Sequence, residues 1–444
     1  MRILILSPYY DPYQNPRSYR ANRYAHILAQ KGYKVCVLTS NRSQSTQPTH
    51  ENITIETAGF NSIKEIYFSL TKGKKERSIA EPKDKSRKYK SSRILRSFIQ
   101  LNNLFIKKIY WPDDAFIWQR PAIKKALSLL STHQFDAVIS FSLPFSTNLV
   151  GQKIKHAYPS LKWLIDMGDP FSFQKASPVN NTFLYKNKNM RVEKKVLSQA
   201  DYIILTNESI LQKLQFNLGI PKGKLLSTGP MISFPNLWSK SPEKTKKDTL
   251  KLSYMGSFFK NIREPQKVLA AFDQLIAYYP HLAQEMEIHI YGDIFDNFNK
   301  DFNKFPSLKN LIFFHGLINN KEIHKAYSSS NILFNVGNKS NDQLPSKCVD
   351  YLYSAKPIIN FRQIEEDLSS SFFHGHPYML DVDLFKLDNS IHELYSFISS
   401  VKNKRVSSNW VEAKCSPFYP QNIVGQVERT CLRRETKDKE KITS

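Results

Sequence analysis

Short apolar runs separated by helix-length segments set the strongest limit on how this chain can fold. The first run is Ile3 to Leu6, followed by a helical stretch from Ser18 to Lys31 and a second run from Tyr33 to Leu38. Apolar runs joined by helices are typical of parallel sheets. Eight further runs of this kind predict strands at 137–141, 163–166, 202–206, 252–255, 287–291, 311–314, 332–335 and 357–361.

A hydrophilic stretch at residues 239–250 divides these strands into two sets and reads as a linker. We therefore expect an α/β protein with two doubly wound domains, residues 1–238 and 251–410, facing each other across a cleft. In such sheets ligands bind at the carboxyl ends of the strands. Residues 411–432 form a last helical stretch, and the charged residues 433–444 are expected to be a disordered tail.

Composition limits the class of protein. The 444 residues are 41% hydrophobic and 13% aromatic, enough for two cores. The four cysteines, Cys36, Cys348, Cys415 and Cys431, have no spacing typical of a zinc site or a disulfide framework, which favours a reducing compartment. Neither a secretory signal nor a run of eighteen apolar residues is visible. We expect a cytoplasmic protein without a membrane span.

Positive charge is the second global feature, since 64 Lys and Arg face 39 Asp and Glu and leave a net charge of +25. Residues 72–108 hold thirteen basic and three acidic residues and run into a stretch with helical apolar spacing that ends in Tyr110-Trp111. A basic amphipathic helix of this kind fits an anionic membrane surface. A core-facing helix behind a charged loop explains the pattern equally well. No nucleic-acid-binding motif accompanies the charge, so nucleic acid is not expected as a partner.

The loop and helix from Asp342 to Ile359 are the most informative segment for function. Pro345-Ser346 predicts a helix start, Asp350 falls one turn later, and Lys356-Pro357 ends the helix. Free N–H groups of a first helical turn bind phosphate, and carboxylates accept hydroxyl donors. Nucleotide-sugars carry a diphosphate between two sets of hydroxyls. A capped surface helix with an ordinary acidic residue is the alternative reading of this segment alone.

This segment resembles the Glu-x7-Glu signature of the GT-B glycosyltransferases of family 4, with Asp342 and Asp350 in place of the glutamates. Its Tyr351-Leu-x-x-x-Lys-Pro-Ile-Ile continuation is also similar to that family. The resemblance implies a GT-B fold with two Rossmann-like domains, the first binding acceptor and the second binding nucleotide-sugar. It also implies that residues 411–432 return to the first domain, and that sugar is transferred with retention of configuration.

A second match lies at the start of the predicted second domain, from Leu252 to Pro265. It resembles the strand, glycine turn and basic cluster that bind phosphate in the family. Gly256 permits close backbone approach, and Lys260 and Arg263 supply charged donors to phosphate oxygens. These cations are predicted to stabilise the charge that grows on the leaving diphosphate, with Lys347 as a further phosphate ligand.

The resemblance continues into the first half with weaker motifs. The loop after the first strand, Ser7 to Arg20, resembles an acceptor loop, although Gln14-Asn15-Pro16 replaces the usual glycine pair. Ser142 to Ser146 stands where many members have a histidine. Trp111-Pro-Asp and Ile165-Asp-Met-Gly-Asp-Pro-Phe resemble elements of polysaccharide-forming members. The resemblance makes Asp166 and Asp169 acceptor-side carboxylates. Asp169 is the candidate base, and capping of the turn after a strand is the equally weighted alternative.

The predicted site consists of Asp342, Arg263, Lys260 and Asp169 as catalytic residues and Gly256, Lys347 and Asp350 as donor-binding residues. Asp350 is assigned to ribose and Asp342 to the transferred sugar. No cofactor or metal is expected, since the nucleotide-sugar is itself the substrate. Asp381-Val-Asp383 matches a metal-binding tripeptide, but we interpret it as a loop-to-helix boundary. His374 and His376 are interpreted as part of an ordinary loop.

The expected function is transfer of a sugar from a nucleotide-sugar to a lipid-linked or polysaccharide acceptor. The family resemblance and the basic stretch suggest that this occurs at the inner face of a membrane. Two alternatives use the same residues. A sugar-nucleotide epimerase would need acid and base groups around the sugar and no acceptor site. A non-catalytic binding or scaffold protein would explain the missing glycines and histidine.

Overall fold

The computed structural model describes residues 1–13, 15–41, 47–62, 65–66, 109–174, 178–234, 237, 249–294, 302–341 and 343–433. Four predicted features lie outside these residues: the basic stretch 72–108, most of the linker, the tail from residue 434, and Asp342. None of the described helices is both long enough and apolar enough to span a membrane.

The first compact unit contains a sheet of seven parallel strands in the order β3-β2-β1-β4-β5-β6-β7. Its strands are β1 (Arg2–Leu6), β2 (Lys34–Thr39), β3 (Ile53–Thr57), β4 (Ala137–Ser142), β5 (Lys162–Met167), β6 (Tyr202–Leu205) and β7 (Leu225–Ser227). Its helices are α1 (Pro16–Gln30), α2 (Gln119–Thr132), α3 (Ser146–Ala157), α4 (Thr182–Gln199) and α5 (Glu208–Leu218). Every strand pair is parallel, with Ile3 opposite both Val35 and Ala137.

The second unit contains a sheet of six parallel strands in the order β10-β9-β8-β11-β12-β13. Its strands are β8 (Leu250–Met255), β9 (Met286–Tyr291), β10 (Ile312–Phe314), β11 (Ile332–Val336), β12 (Ile358–Arg362) and β13 (Met379–Asp383). Its helices are α6 (Gln266–Tyr278), α7 (Leu282–Glu285), α8 (Asn320–Ser329), α9 (Lys347–Tyr353), α10 (Leu368–Phe373), α11 (Leu387–Val401), α12 (Ser408–Cys415) and α13 (Pro420–Val427).

Burial explains why the central strands are continuous apolar runs. Both faces of the first sheet are covered, and all six residues of β4 are buried. Trp118 and Trp163 are fully buried in the core of this unit. In the second unit, Tyr254 of β8 and Phe334 of β11 stack at 5.4 Å within a separate core. Each sheet is therefore the centre of its own hydrophobic core.

The compact units divide between Ser227 and Thr228 and again between Ile423 and Val424. The predicted boundaries were residues 238 and 411. The second division falls inside α13, after which Glu428 joins the first unit. Glu428 accepts a hydrogen bond from the Tyr33 hydroxyl at 3.0 Å and pairs with Lys31.

All ten predicted strands are present, with ends shifted by no more than two residues. Three strands were not predicted, namely β3, β7 and β13. The prediction for Asp381 and Asp383 was wrong, because both residues lie within β13 and not at a loop-to-helix boundary. The last helical stretch is also interrupted, since a 3₁₀ turn at Ser416–Phe418 separates α12 from α13.

Candidate active site

Two glycines bring the ends of β8 and β9 close together. The Gly256 N–H donates to the carbonyl of Tyr291 at 2.8 Å. Gly292 has φ of +154°, and a Cβ atom there would lie 2.3 Å from the Gly256 carbonyl oxygen. A side chain on Gly256 would meet the Lys347 Nζ at 3.0 Å. Gly256 therefore provides space for the Lys347 amine, while its own N–H is already used by the sheet.

A tight hairpin follows, in which Phe259 and Arg263 exchange two backbone hydrogen bonds of 2.9 Å. Asn261 adopts φ of +64° at the turn, and its N–H donates to Glu264 at 2.8 Å. Lys260 is exposed in this turn. The turn thus separates the two predicted cations: Lys260 lies at the surface, whereas Arg263 returns towards the end of β8 and contacts the Tyr254 hydroxyl.

Lys347 begins α9, as the sequence predicted for the residue after Pro345-Ser346, and its side chain is buried. Its Nζ lies 3.6 Å from the centroid of the Tyr254 ring. Neither this Nζ nor the Nε of Arg263 has a hydrogen-bond partner among the described residues. Burial lowers the pKa of Lys347 well below its usual range, and the Arg263 guanidinium lowers it further.

We call Tyr254, Gly256, Arg263 and Lys347 the phosphate cluster. A buried cationic donor without a partner is costly, and a second cation beside it adds repulsion. An anion with several acceptor oxygens would relieve both penalties, because charge-assisted hydrogen bonds are the strong ones. The Tyr254 ring makes a cation–π contact with the Lys347 amine. The structure therefore brings together three of the predicted site residues, Gly256, Arg263 and Lys347, at the carboxyl end of β8.

Asp350, one turn further along α9, is buried and is used differently. Its Oδ1 accepts from the Ser233 N–H at 2.8 Å, and the Phe234 N–H is a further donor. Burial raises the pKa of Asp350 to about 7, although these donors oppose the rise. In the structure, the Asp350 carboxylate is the hydrogen-bond acceptor for the backbone of residues 233–234. The predicted ribose hydroxyls would have to share or replace those donors.

Lys356 is the last charged residue of the segment that resembles the family, and its hydrogen bonds are made outside the phosphate cluster. Its buried amine donates to the Ser330 carbonyl and, at 3.3 Å, to the Ser328 carbonyl. These carbonyls are at the carboxyl end of α8, where backbone oxygens have no intrahelical donor. The lysine therefore caps a neighbouring helix.

In the first unit, the two predicted acceptor-side carboxylates have different surroundings. Asp166 is buried, accepts from Arg20 Nε at 2.8 Å and from the Tyr24 hydroxyl at 2.9 Å, and is part of the core. Asp169 is partly exposed and pairs with Arg17 at 2.9 Å. The Arg17 guanidinium occupies the place where any side chain on Gly168 would lie. Only Asp169 is thus placed where a ligand could reach it.

Two departures from the family pattern are explained by helix capping. Asn15, which stands in the place of the usual glycine pair, accepts from the Ser18 N–H at 2.9 Å and caps α1. Asp113 accepts from the N–H of Ser146 at 3.0 Å and from its hydroxyl at 2.6 Å, at the start of α3. These contacts satisfy helix N-termini that would otherwise lack partners.

Sequence reasoning missed a carboxyl group near the carboxyl edge of the first sheet. Glu65 accepts from the Tyr13 hydroxyl and, at 3.1 Å, from the Asn61 N–H. Burial raises the pKa of Glu65 to about 7. Such a group can exchange a proton near neutral pH. Glu65 follows no motif, so only the fold brings it beside Tyr13, which is 52 positions away.

The described residues contain no group of three His, Cys, Asp or Glu side chains that could hold a metal ion. Asp381 instead accepts from the Asn360 amide at 2.7 Å and from the Ser370 hydroxyl at 2.8 Å. His376 is buried against the Trp410 ring, and burial lowers its pKa to about 4. These residues have structural partners.

No protein-family model matches the sequence, and no curated protein matches it. Solved structures do match, over nearly the full length of both chains. Sucrose-phosphate synthase from Thermosynechococcus elongatus is 14% identical, with a TM-score of 0.65, 96% of this chain covered and 97% of that one. Anabaena HepE in complex with UDP-glucose is 12% identical, with a TM-score of 0.58 and coverage of 97% and 99%. WaaG, a glycosyltransferase involved in lipopolysaccharide biosynthesis, is 10% identical, with a TM-score of 0.61 and coverage of 97% and 99%.

The chain therefore has the GT-B fold, with two Rossmann-like units, and the fold predicted from the sequence is confirmed. A putative UDP-N-acetylglucosamine 2-epimerase from Listeria monocytogenes also matches, with a TM-score of 0.51 and 10% identity. Because one fold carries both activities, the function must be argued from the residues of the site.

Proposed function

We propose that the chain is a glycosyltransferase that moves a sugar from a nucleotide-sugar to a lipid-linked or polysaccharide acceptor, with retention of configuration. The observation that carries the proposal is the phosphate cluster, in which the Lys347 Nζ and the Arg263 Nε have no hydrogen-bond partner in the part of the chain that the structure describes. The HepE structure, of the same fold, contains UDP-glucose. A nucleoside diphosphate supplies the anionic oxygens that such donors need.

The proposed chemistry is displacement at the anomeric carbon. The bond between that carbon and the diphosphate oxygen breaks, the acceptor hydroxyl forms the new bond, and its proton is lost. Negative charge grows on the leaving diphosphate, so cations already in place lower the barrier without reorganising. Lys347 and Arg263 take this role, and exposed Lys260 approaches from the hairpin turn.

Four roles remain proposals taken from the resemblance. Asp350 would bind the ribose after giving up some of its donors, and Asp342 would bind the transferred sugar. Asp169 would receive the acceptor proton. Its carboxylate pairs with Arg17 at 2.9 Å, so the acceptor hydroxyl would have to approach beside that ion pair. An anionic membrane surface is proposed as a partner, because a lipid-linked acceptor would lie at a membrane and the chain carries a net charge of +25.

Thermal unfolding with UDP, GDP and ADP tests the donor site. A ligand at one hundred times its Kd adds about 2.7 kcal/mol to the free energy of unfolding. We expect one nucleotide to raise the melting temperature and Lys347→Met to abolish the rise. Lys404→Met, which removes an exposed lysine of the same unit, is the matched control and should keep it. Failure of all three nucleotides to shift the transition would contradict the proposal.

Incubation with a panel of nucleotide-sugars then separates the functions. Hydrolysis or transfer to an added acceptor supports the glycosyltransferase. Interconversion of the sugar without release of nucleotide would instead show the epimerase, and binding without turnover would show a non-catalytic protein.

A further inference from the structure

Large apolar side chains project from one part of the first unit. Phe183 and Leu184, in the first turn of α4, are exposed, and 94% of the Phe183 surface is accessible. Met190 is exposed two turns later, and 62% of Ile109 is accessible. The Tyr185 hydroxyl donates to the Ile109 carbonyl at 2.6 Å, so these residues belong to one surface. Contiguous apolar exposure of this kind marks an interaction site.

The same helix face is strongly basic. Its exposed cations are Lys188, Arg191, Lys194 and Lys195. Positions 183, 187, 190 and 194 and positions 184, 188, 191 and 195 form two adjacent rows along the helix. Glu193 is the only acidic residue of α4, and it is buried on the opposite side. The exposed face therefore combines apolar groups and positive charge without a compensating acid.

The helix is held firmly from below. The Glu193 carboxylate accepts from the N–H groups of Phe171 at 2.7 Å and Ser172 at 2.8 Å. Asn189 accepts from the Trp111 indole at 2.9 Å, and Val196 is packed into the core. The exposed apolar side chains are thus presented by a well-packed element.

We propose that this surface, which we call the α4 face, docks the protein onto an anionic lipid bilayer. The cations would meet lipid phosphates while the apolar side chains enter the interface between headgroups and acyl chains. Phe183 projects outward, which suits insertion into a soft interface. The α4 face consists of described residues only, and the basic stretch 72–108 is not among them.

Flotation of the full chain with vesicles tests the proposal. One set contains phosphatidylcholine with phosphatidylglycerol, and the other contains phosphatidylcholine alone. We expect binding to the anionic vesicles only. Phe183→Ser with Leu184→Ser should weaken binding at least tenfold. Lys194→Glu with Arg191→Glu and Lys195→Glu should weaken it about a hundredfold or more, because each cation near an anionic surface contributes about 1 kcal/mol.

Two control variants carry the same changes elsewhere. Leu317→Ser with Phe385→Ser replaces exposed apolar residues of the second unit, and Lys222→Glu with Lys309→Glu and Lys404→Glu reverses as many exposed charges. Both should bind nearly as well as the wild type. Equal melting temperatures of all variants establish that they fold, since every substituted residue is exposed.

Three results would overturn the proposal: equal binding to both vesicle types, wild-type binding by the α4 variants, or equal losses in the controls. Unchanged vesicle binding by Phe183→Ser with Leu184→Ser, together with binding of heparin through the same cations, would indicate a polyanion site instead of a bilayer site. The inference rests on the proposed function, because it assigns the proposed membrane surface to named residues. Vesicle binding needs no nucleotide, so Lys347→Met should bind vesicles normally. Loss of nucleotide binding would therefore not contradict vesicle binding, and loss of vesicle binding would not contradict nucleotide binding.

Discussion

The Lys347 amine combines deep burial with a neighbouring guanidinium, and this links ligand binding to protons. Burial lowers the pKa of Lys347 well below its usual range. A diphosphate beside the amine would favour its charged form and raise that pKa. We therefore expect UDP binding to take up a proton, and affinity to fall as the pH rises through the interval between the two pKa values.

Calorimetry in buffers of different ionisation enthalpy measures this uptake directly. The apparent binding enthalpy should change with the buffer in the wild type. An enthalpy that is the same in every buffer would show that no proton is exchanged and that Lys347 does not meet the phosphates. Arg263→Lys keeps a cation beside Lys347 and should retain the uptake.

Asp350 gives a second prediction, on stability. Its pKa is about 7 in the folded protein and about 4 in an unfolded chain. Between these values the folded state holds the extra proton, so this residue's contribution to the free energy of unfolding decreases as the pH rises from 4 to 7 and is constant above. Asp350→Asn should remove a decrease of up to about 4 kcal/mol. Urea unfolding of both proteins at pH 5 and pH 8 checks it, and identical pH dependence would contradict it.

The approach of β8 and β9 gives a prediction for these elements. A methyl group at Gly292 would overlap the Gly256 carbonyl, and φ of +154° is unfavourable for alanine. We expect Gly292→Ala to lower the free energy of unfolding by more than about 2 kcal/mol. Gly223→Ala, where a methyl group meets no atom within 4 Å, should change it by less than about 0.5 kcal/mol. Similar stability of both variants, by urea unfolding, would contradict the close approach.

The strands that sequence patterns did not predict are all edge strands. Central strands such as β4 are buried on both faces and read as continuous apolar runs. Within β3 (Ile53–Thr57) and β13 (Met379–Asp383), apolar residues are interrupted by polar ones. Strand β7 (Leu225–Ser227) is only three residues long. An edge strand exchanges fewer buried contacts, so its sequence carries a weaker signal. This is why Asp381 and Asp383 resembled a metal motif.

The candidate site was predictable to the extent that its residues follow regular elements. Gly256, Arg263 and Lys347 lie next to β8 and α9, and sequence patterns predicted the first residue of each element to within two positions. The use of Asp350 by the Ser233 segment was not predictable, because it joins residues 117 positions apart. The contact between Glu65 and Tyr13 was not predictable for the same reason, because it joins residues 52 positions apart. Long-range hydrogen bonds depend on loop conformation, which local patterns do not encode.

For the whole molecule, the separate cores predict a local response to ligand. The phosphate cluster lies entirely within the second unit. We expect UDP to slow hydrogen exchange in residues 254–263 and 343–350 and to leave β4 and β5 unchanged. Mass spectrometry of peptides from both regions measures this. Protection confined to β4 and β5 would show that the nucleotide binds elsewhere.

The positively charged side chains also differ in their exposure to solvent. The net charge of +25 would attract any polyanion at low salt. The buried amine of Lys347 is shielded from salt, whereas the cations of α4 are exposed. Nucleotide affinity should therefore depend weakly on ionic strength, and association with anionic surfaces strongly.

The structural role of Lys356 affects how a variant at this position should be interpreted. Because its amine supports the end of α8, replacing it would damage the architecture whether or not any sugar is ever transferred. A variant of Lys356 that has lost activity would therefore not by itself report on sugar transfer, since loss of packing would have the same result. The proposed phosphate site must be tested at Lys347 and Arg263.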